Sequence, residues 1–346
     1  MERKIYPSLD VAKFFLALSI LLSHTQNEMA TDASGIIHNL LAISNFGVPF
    51  FFACSGFLFF SKINKLGDIQ KNEYYRQYSL RLGKMYLVWT LIYFSFQLTS
   101  WLLYGTNMTE VVSYFHRLIV YSSYPTIWFL PALWLGVSII YLIDNKFGEK
   151  YVVFACCFLY LICSLGECYS NIICKNAIIE SLWSYYLKIF IVFRNGLFMG
   201  APFVACGYLS SKILDNKSRN IYVAMALLFS ILFIIESVII KRYHFSDYTH
   251  CGILLLPATF CIFQALVRID VPNKPIYRTL RNLSMLIFLS QRLVLTAIPS
   301  VCPDFGKLMI ELNPYITIAF VAIIVIVFSI IIEKLSYKYE SLKILW

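Results

Sequence analysis

The stretch SLDVAKFFLALSILLSH, residues 8–24, decides what kind of fold this chain adopts. It is apolar enough to cross a membrane, yet it carries Asp10, Lys13 and His24. Lys13 and His24 are eleven residues apart, about 20° more than three helical turns, so both lie on one face of a helix. Asp10 joins that face one turn earlier. Ionisable groups inside a membrane helix usually face a bundle interior or a substrate path, so these residues predict a functional site.

The rest of the chain is apolar in the same way. Of its 346 residues, 59% are hydrophobic and 14% are charged, whereas a soluble domain has about 25% charged residues. The apolar runs predict an all-α, polytopic membrane protein with about ten transmembrane helices. The predicted spans are 9–27, 36–60, 84–104, 127–143, 151–165, 190–209, 221–240, 250–267, 282–300 and 314–333. No long soluble insertion separates them, so residues 1–346 are expected to form a single membrane-embedded domain.

Basic residues predict the orientation of these helices. Twenty lysines and arginines fall in one set of alternate loops and termini, beginning with Arg3 and Lys4, and six fall in the other set. By the positive-inside rule, both termini are expected in the cytoplasm. Since the net charge of +10 largely reflects this asymmetry, membrane lipids are the expected partners and nucleic acid is not.

Other polar residues within the predicted spans have two interpretations each. Lys13 and Arg194 lie near span ends and could extend to the headgroups. Alternatively, Arg194 with Asn195 forms a polar site, as does Arg292 with the adjacent Gln291. The ten cysteines mostly fall in apolar segments, where thiols behave as small hydrophobes. No cysteine–histidine spacing predicts a metal site.

The loop before the third span is basic and aromatic, and it contains Arg76, Arg81 and Lys84. Arg81 and Lys84 are one helical turn apart at the mouth of that span. Two cations so placed predict binding of an anion such as a nucleotide phosphate. Anchoring to lipid headgroups beside interfacial tyrosine and tryptophan is the alternative.

Four local motifs resemble the integral-membrane acyltransferase family 3, which O-acylates cell-surface glycans. The first is residues 8–24, since that family has Asp, a basic residue, and His eleven positions after the basic one. The others are GVPFFFACSGFLFF (47–60), SLRLGKMYLVW (79–89) and TIWFLPALW (126–134). FRNGLFMGAPFVACGYL (193–209) is similar to the Gly-rich sixth-span region of that family.

Two positions depart from the family pattern. The basic residue of the first helix is commonly Arg, and Lys13 cannot make a bidentate contact with a carboxylate or phosphate. Many members also have a His in a Leu-x-His segment near the C-terminal end. Here that region reads FLSQRLVL (288–295), and Gln291 or Arg292 stands in its place.

The resemblance implies an O-acyltransferase, most simply an O-acetyltransferase, in a bacterial-type cytoplasmic (inner) membrane. It would use cytoplasmic acyl-CoA, such as acetyl-CoA, as a co-substrate, with no bound cofactor, and a glycan or lipid-linked sugar as acceptor. His24 is the expected general base, with Lys13 and Asp10 in positioning and charge balance. The other expected site residues are, for the donor, Arg76, Arg81 and Lys84, and for the acceptor or oxyanion, Ser55, Trp128, Arg194, Asn195, Gln291 and Arg292. A secondary transporter of an organic anion or lipid-linked sugar is the alternative, although the sequence has no inverted repeat.

Overall fold

The computed structural model describes residues 5–29, 41–213 and 218–346. No β-strand occurs among these residues, and the model confirms the all-α prediction. The helices are α1 (Pro7–Met29), α2 (Gly47–Ile63), α3 (Asp68–Tyr104), α4 (Met108–Val120), α5 (Phe129–Phe147), α6 (Glu149–Cys168), α7 (Ser170–Ile173), α8 (Ala177–Phe190), α9 (Ala201–Lys212), α10 (Arg219–Arg242), α11 (Leu255–Val267), α12 (Pro275–Arg292), α13 (Ile298–Val301), α14 (Pro303–Glu311) and α15 (Pro314–Leu335). Short 3₁₀ segments cover Leu41–Phe46 and Glu340–Leu345, and π-helical turns cover Gly196–Gly200 and Leu293–Ala297.

Eight helical segments of the described chain are long and apolar enough to cross a membrane. They are Pro7–Met29, Ile43–Ile63, Asp68–Tyr104, Phe129–Phe147, Glu149–Cys168, Arg219–Arg242, Pro275–Val301 and Pro314–Leu335. The predicted spans 190–209 and 250–267 correspond to shorter helices, α9 with its preceding π turn and α11. Ten spans and cytoplasmic termini therefore stay predictions. Residues 36–40 of the second predicted span, and the basic residues Arg3, Lys4 and Lys217, lie outside the described residues.

Helix α3 is much longer than the predicted third span, which began at residue 84. Its 37 residues extend about 55 Å, whereas the hydrocarbon core of a bilayer is about 30 Å thick. The added turns are polar and carry salt bridges at i,i+3 spacing, Lys71–Asp68 at 3.0 Å and Arg76–Glu73 at 2.9 Å. Such pairs stabilise an exposed helix, so α3 continues past the apolar segment.

The chain divides into two compact units, and the prediction of a single domain remains untested. The first unit comprises Met1–Gly47, Arg81–Trp128 and Val271–Trp346. In it, α1 packs along α12, and both helices contact α15. Trp89 and Tyr93 of α3 are buried in this unit, with 1% and 0% of their surface exposed.

The second unit comprises Val48–Leu80 and Phe129–Asp270, and its core is rich in phenylalanine. Helices α2 and α9 approach closely there because Gly207 has no side chain. A Cβ atom at Gly207 would lie 2.1 Å from the carbonyl oxygen of Ala53 and 2.4 Å from the amide nitrogen of Phe57. Small residues commonly permit such close backbone contact between membrane helices.

Gly207→Ala is therefore expected to destabilise the protein by about 1–3 kcal/mol, as overpacking usually does. The atoms that the new methyl group meets are backbone atoms of α2, which cannot rotate away. Thermal unfolding in detergent measures the effect. Gly83→Ala on α3 is the matched control, because a Cβ there meets no atom within 4 Å. Equal melting temperatures for the two variants would contradict the expected strain at Gly207.

Candidate active site

The C-terminal ends of α1 and α12 bring three ionisable side chains together. Nη2 of Arg292 lies 3.1 Å from Nδ1 of His24. Nη1 of the same guanidinium contacts Oε1 of Glu28, one helical turn after His24. Arg292 is 7% exposed, and the side chain of Glu28 is 27% exposed. The result is a His24–Arg292–Glu28 cluster, in which one guanidinium holds two residues of α1.

The hydrogen bond to Arg292 fixes the tautomer of the neutral His24 ring. A guanidinium has only donors, so Nδ1 of His24 must be the acceptor. A neutral ring whose Nδ1 accepts carries its proton on Nε2. The lone pair available for proton abstraction is therefore on Nδ1, and it faces Arg292.

A second polar contact joins the same two helices toward their N-terminal ends. Oδ2 of Asp10 lies 4.0 Å from Nη1 of Arg281. Asp10 and Lys13 are both buried, with 6% and 7% exposed. Since Asp10 contacts Arg281 and His24 contacts Arg292, both residues of α1 face α12, and the two helices run in the same direction.

A π-helical turn follows directly after Arg292. It covers Leu293–Ala297 and leads into α13. Such turns often occur at functional sites, and this one ends the regular part of α12 at the guanidinium. The hydroxyl of Thr296 donates to the carbonyl oxygen of Arg292 at 2.9 Å, which holds the backbone of the turn.

Two buried glutamines lie near this cluster in sequence. Nε2 of Gln291 donates to the carbonyl oxygen of Phe288 at 2.9 Å. Oε1 of Gln291 and Oε1 of Gln26 have no hydrogen-bond partner among the described residues, although both side chains are buried. A buried polar atom without a partner costs about 1–3 kcal/mol of stability. Such unpaired atoms are typical of a site that binds a polar ligand.

Trp128 belongs to the same unit and stacks on Tyr121. The two ring centroids are 5.8 Å apart and their planes differ by 14°. Trp128 is 9% exposed, so most of its surface contacts protein. Its predicted role in holding an acceptor sugar remains untested.

The three predicted donor-binding cations have different surroundings on α3. Arg76 is exposed and paired with Glu73, at 2.9 Å from Nε to Oε2 and 3.0 Å from Nη2 to Oε1. Nη2 of Arg81 donates to the carbonyl oxygen of Trp346 at 3.0 Å. Lys84 is exposed and makes no salt bridge to a described carboxylate. Of the three, Lys84 has its charge least compensated by the protein.

Arg194 and Asn195 lie in the second unit and have partners there. Nε of Arg194 is 3.4 Å from Oε2 of Glu167. Asn195 caps the π turn Gly196–Gly200, because its Oδ1 accepts hydrogen bonds from the amides of Leu197 and Phe198 at 3.0 and 3.1 Å. The geometry gives Asn195 a structural role at a helix start, and its acceptor role stays a prediction.

Oε1 of Glu167 also accepts a hydrogen bond from the amide of Phe193 at 2.9 Å. Oε2 of Glu167 lies 4.0 Å from Nε2 of His250. Arg194 is the cation that balances Glu167. Ser55, the remaining predicted residue of this unit, is half-buried on α2.

The acyltransferase domain model of family 3 matches residues 6–334, nearly the whole chain. The chain belongs to acyltransferase family 3. It carries the acyltransferase domain of that family, and its apolar helices are those of a multi-pass membrane protein.

Curated relatives of this family member are distant in sequence and longer. An amino-acid racemase of Enterococcus faecalis is 23% identical over 81% of this chain and 38% of its own length. A second amino-acid racemase of that species is 22% identical, over 85% and 41%. A serine/alanine racemase of Enterococcus gallinarum is 24% identical, over 75% and 37%. The chain thus spans about two-fifths of these relatives, and no solved structure is significantly similar to it.

Sequence reasoning missed three residues, namely Glu28 of the His24–Arg292–Glu28 cluster, and Glu167 and His250, which lie beside Arg194. Glu28 was overlooked because it follows the apolar run, although its i+4 spacing from His24 was a usable signal. Glu167 and His250 are far apart in sequence, and no local pattern links them to Arg194.

Proposed function

We propose that this acyltransferase moves an acyl group, most simply acetyl, from cytoplasmic acyl-CoA to a sugar hydroxyl of a cell-surface or lipid-linked glycan. The observation that carries the proposal is the hydrogen bond from Arg292 to Nδ1 of His24, in a chain that belongs to an acyltransferase family. It pairs a group that accepts a proton with a cationic donor. The proposed location is a cytoplasmic membrane, with polysaccharide or lipid-linked sugar modification as the role.

Acyl transfer from a thioester needs a base for the acceptor hydroxyl and a donor for the oxyanion. In the proposed reaction the acceptor hydroxyl enters between His24 and Arg292 and gives its proton to Nδ1. Its oxygen attacks the thioester carbonyl carbon, and the carbon–sulfur bond breaks. The departing thiolate takes the proton from the imidazolium, so the products are the ester and free CoA.

Arg292 has two tasks in this mechanism. Before the acceptor arrives, it occupies Nδ1 of His24 and fixes the ring. Once displaced from Nδ1, the guanidinium donates to the oxygen that becomes negative in the tetrahedral intermediate. Glu28 balances its charge throughout, which keeps a buried cation near the site without an unpaired charge.

Lys13 and Asp10 are proposed to position the acyl-CoA donor near the N-terminal ends of α1 and α12. Both are buried and lie closer than His24 to the predicted cytoplasmic end of α1. Asp10 is balanced by Arg281. Among the described residues, no group donates to the buried Oε1 of Gln291, and this atom is proposed to accept a hydrogen bond from a substrate hydroxyl or amide.

The donor site is tested by Arg81→Ala combined with Lys84→Ala. We expect coenzyme A to bind about tenfold or more weakly, because two charge-assisted contacts to phosphate are lost. Binding to protein in neutral-lipid nanodiscs measures this directly. Arg76→Ala is the control, since Glu73 already neutralises Arg76. Unchanged affinity of the double variant would assign Arg81 and Lys84 to lipid anchoring.

The reaction itself is tested with membranes, labelled acetyl-CoA and a glycan extract. Label in the glycan supports the proposal. The alternative, a secondary transporter of an organic anion or lipid-linked sugar, predicts instead that substrate accumulates unchanged in sealed vesicles. Mass spectrometry of surface glycans with and without the protein identifies the acyl group and the acceptor.

A second acceptor class is suggested by the names of the relatives. Three of them are amino-acid racemases, one of them a serine/alanine racemase. A hydroxyl amino acid such as serine offers the same chemistry as a sugar hydroxyl. Adding serine to the labelled acetyl-CoA assay distinguishes the two classes, since labelled O-acetylserine would replace labelled glycan.

A further inference from the structure

Helix α12 changes its backbone pattern directly beside Arg292. In a regular α-helix the amide of Leu293 would donate to the carbonyl oxygen of Leu289, four residues earlier. Here that amide donates to the carbonyl oxygen of Ser290 instead, and a π-helical turn begins at Leu293. The helix therefore leaves its regular course one residue after the guanidinium that contacts His24.

The carbonyl oxygen that Leu293 does not use is bound by a side chain of another helix. The hydroxyl of Tyr93 on α3 donates to the carbonyl oxygen of Leu289 at 2.7 Å, and it also interacts with the amide of Leu293. Tyr93 is fully buried, and a hydrogen bond is electrostatically stronger in such surroundings than in water. Helices commonly kink or form π-helical turns where a side chain inserts into the ladder of i,i+4 hydrogen bonds.

We propose that Tyr93 is a positioning residue, whose hydroxyl keeps the Leu289–Leu293 hydrogen bond open and thereby sets how Arg292 meets His24. The backbone of Arg292 carries the effect, because its ψ angle is −14°, whereas a regular α-helix has about −42°. Without the hydroxyl, Leu293 can complete the regular pattern, and the guanidinium moves with its backbone. The consequence for acyl transfer rests on the function proposed above, and the effect on the turn does not.

Neighbouring contacts hold the Tyr93 ring in place. It stacks on Tyr124, with ring centroids 4.5 Å apart and planes that differ by 24°. One helical turn earlier on α3, Nε1 of Trp89 donates to the carbonyl oxygen of Leu345 at 3.1 Å. Helix α3 is therefore joined to two backbone carbonyls of the C-terminal part of the chain, and the Tyr93 hydroxyl has a fixed position against α12.

Tyr124 connects the same ring to the other side of the turn. Its hydroxyl interacts with the side chain of Thr296, which donates to the carbonyl oxygen of Arg292 at 2.9 Å. The backbone around Arg292 is thus held before it by Tyr93 and after it by Thr296. In the proposed reaction Arg292 must reach Nδ1 of His24, which lies 3.1 Å away. A displacement of about 1 Å in a reacting geometry can lower a rate by about 10²-fold.

The test is Tyr93→Phe in purified, membrane-inserted protein, because this change removes one hydroxyl and keeps the ring that stacks on Tyr124. We expect kcat for transfer of labelled acetyl to fall by about 10²-fold, with KM for acetyl-CoA unchanged. Tyr160→Phe is the matched control, because the Tyr160 hydroxyl is also buried and donates to a backbone carbonyl, that of Gly252, at 2.8 Å. The two variants are expected to melt at similar temperatures, since each loses one buried hydrogen bond.

Nitrogen-15 NMR of histidine-labelled protein gives a readout that does not depend on acyl transfer. The Nδ1 resonance of His24, assigned by its loss in His24→Gln, responds to the hydrogen bond from Arg292. We expect Tyr93→Phe to shift this resonance and Tyr160→Phe to leave it in place. An unshifted resonance, or a kcat equal to that of Tyr160→Phe, would overturn the inference. If the unmodified protein transfers no acyl group, a shifted resonance still supports positioning by Tyr93, and only the proposed function fails.

A rescue variant carries 4-aminophenylalanine at position 93. Its amine keeps a hydrogen-bond donor at nearly the place of the hydroxyl, so we expect it to restore most of the activity that Tyr93→Phe loses. This variant also decides the matter if Tyr93→Phe does not fold. A folded protein with the amine, inactive under conditions in which the unmodified protein is active, would contradict the role of the donor to Leu289.

Discussion

Replacing His24 by alanine is expected to lower kcat for acyl transfer by roughly 10²–10⁴-fold, the usual contribution of a general base. The variant loses the Nδ1 lone pair that faces Arg292, and no other histidine lies in this cluster among the described residues. The measurement is transfer of labelled acetyl from acetyl-CoA by purified, membrane-inserted protein. His116→Ala is the matched control, because His116 is exposed on α4.

His24→Gln distinguishes a base from a packing residue. The amide oxygen of glutamine can accept the hydrogen bond from Arg292, but it cannot take up a proton at neutral pH. This variant is expected to melt like the unmodified protein and to be as inactive as His24→Ala. Substantial transfer by the glutamine variant would eliminate His24 as the base, while the acyltransferase assignment would stand.

Arg292→Lys is expected to lower kcat by roughly 10²–10³-fold, the usual cost of losing one oxyanion donor. Lysine keeps the charge but lacks the fork of donors with which Arg292 contacts His24 and Glu28 simultaneously. The measurement is kcat and KM for acetyl-CoA. A loss confined to KM would contradict the oxyanion role and point to binding of the donor alone.

A double variant separates stability from catalysis at the same position. Arg292→Gln alone leaves Glu28 without its cation, so the melting temperature is expected to fall. Adding Glu28→Gln removes the uncompensated charge and should restore much of that stability. Activity should stay low in both variants, because neither has the guanidinium. Recovery of activity along with stability would make Arg292 a structural residue.

The prediction that Asp10 and His24 share one face of α1 depended on helical geometry, which is local. Asp10 and His24 lie on one stripe by spacing, and in the structure both face α12. The length of α3 was underestimated for a related reason. Hydropathy marks where a helix is apolar, whereas salt bridges such as Arg76–Glu73 let the helix continue outside the membrane.

Asn195 shows what the local sequence could not decide. Its position beside Arg194 predicts a ligand site, and the structure shows in addition that its Oδ1 accepts from the amides of Leu197 and Phe198. A cap and a ligand site have the same residue type, so sequence could not separate them. Similarly, Sγ of Cys168 accepts a hydrogen bond from the amide of Cys251 at 3.3 Å, a contact that no local pattern predicts.

The sequence by itself determined the all-α membrane class, the stripe on α1 and the acyltransferase family, because each is encoded in local periodicity or motif. Only the tertiary structure decided that Arg292 holds His24 and Glu28. These contacts join residues more than 260 positions apart. Spacing along one helix carries no information about which other helix packs against it.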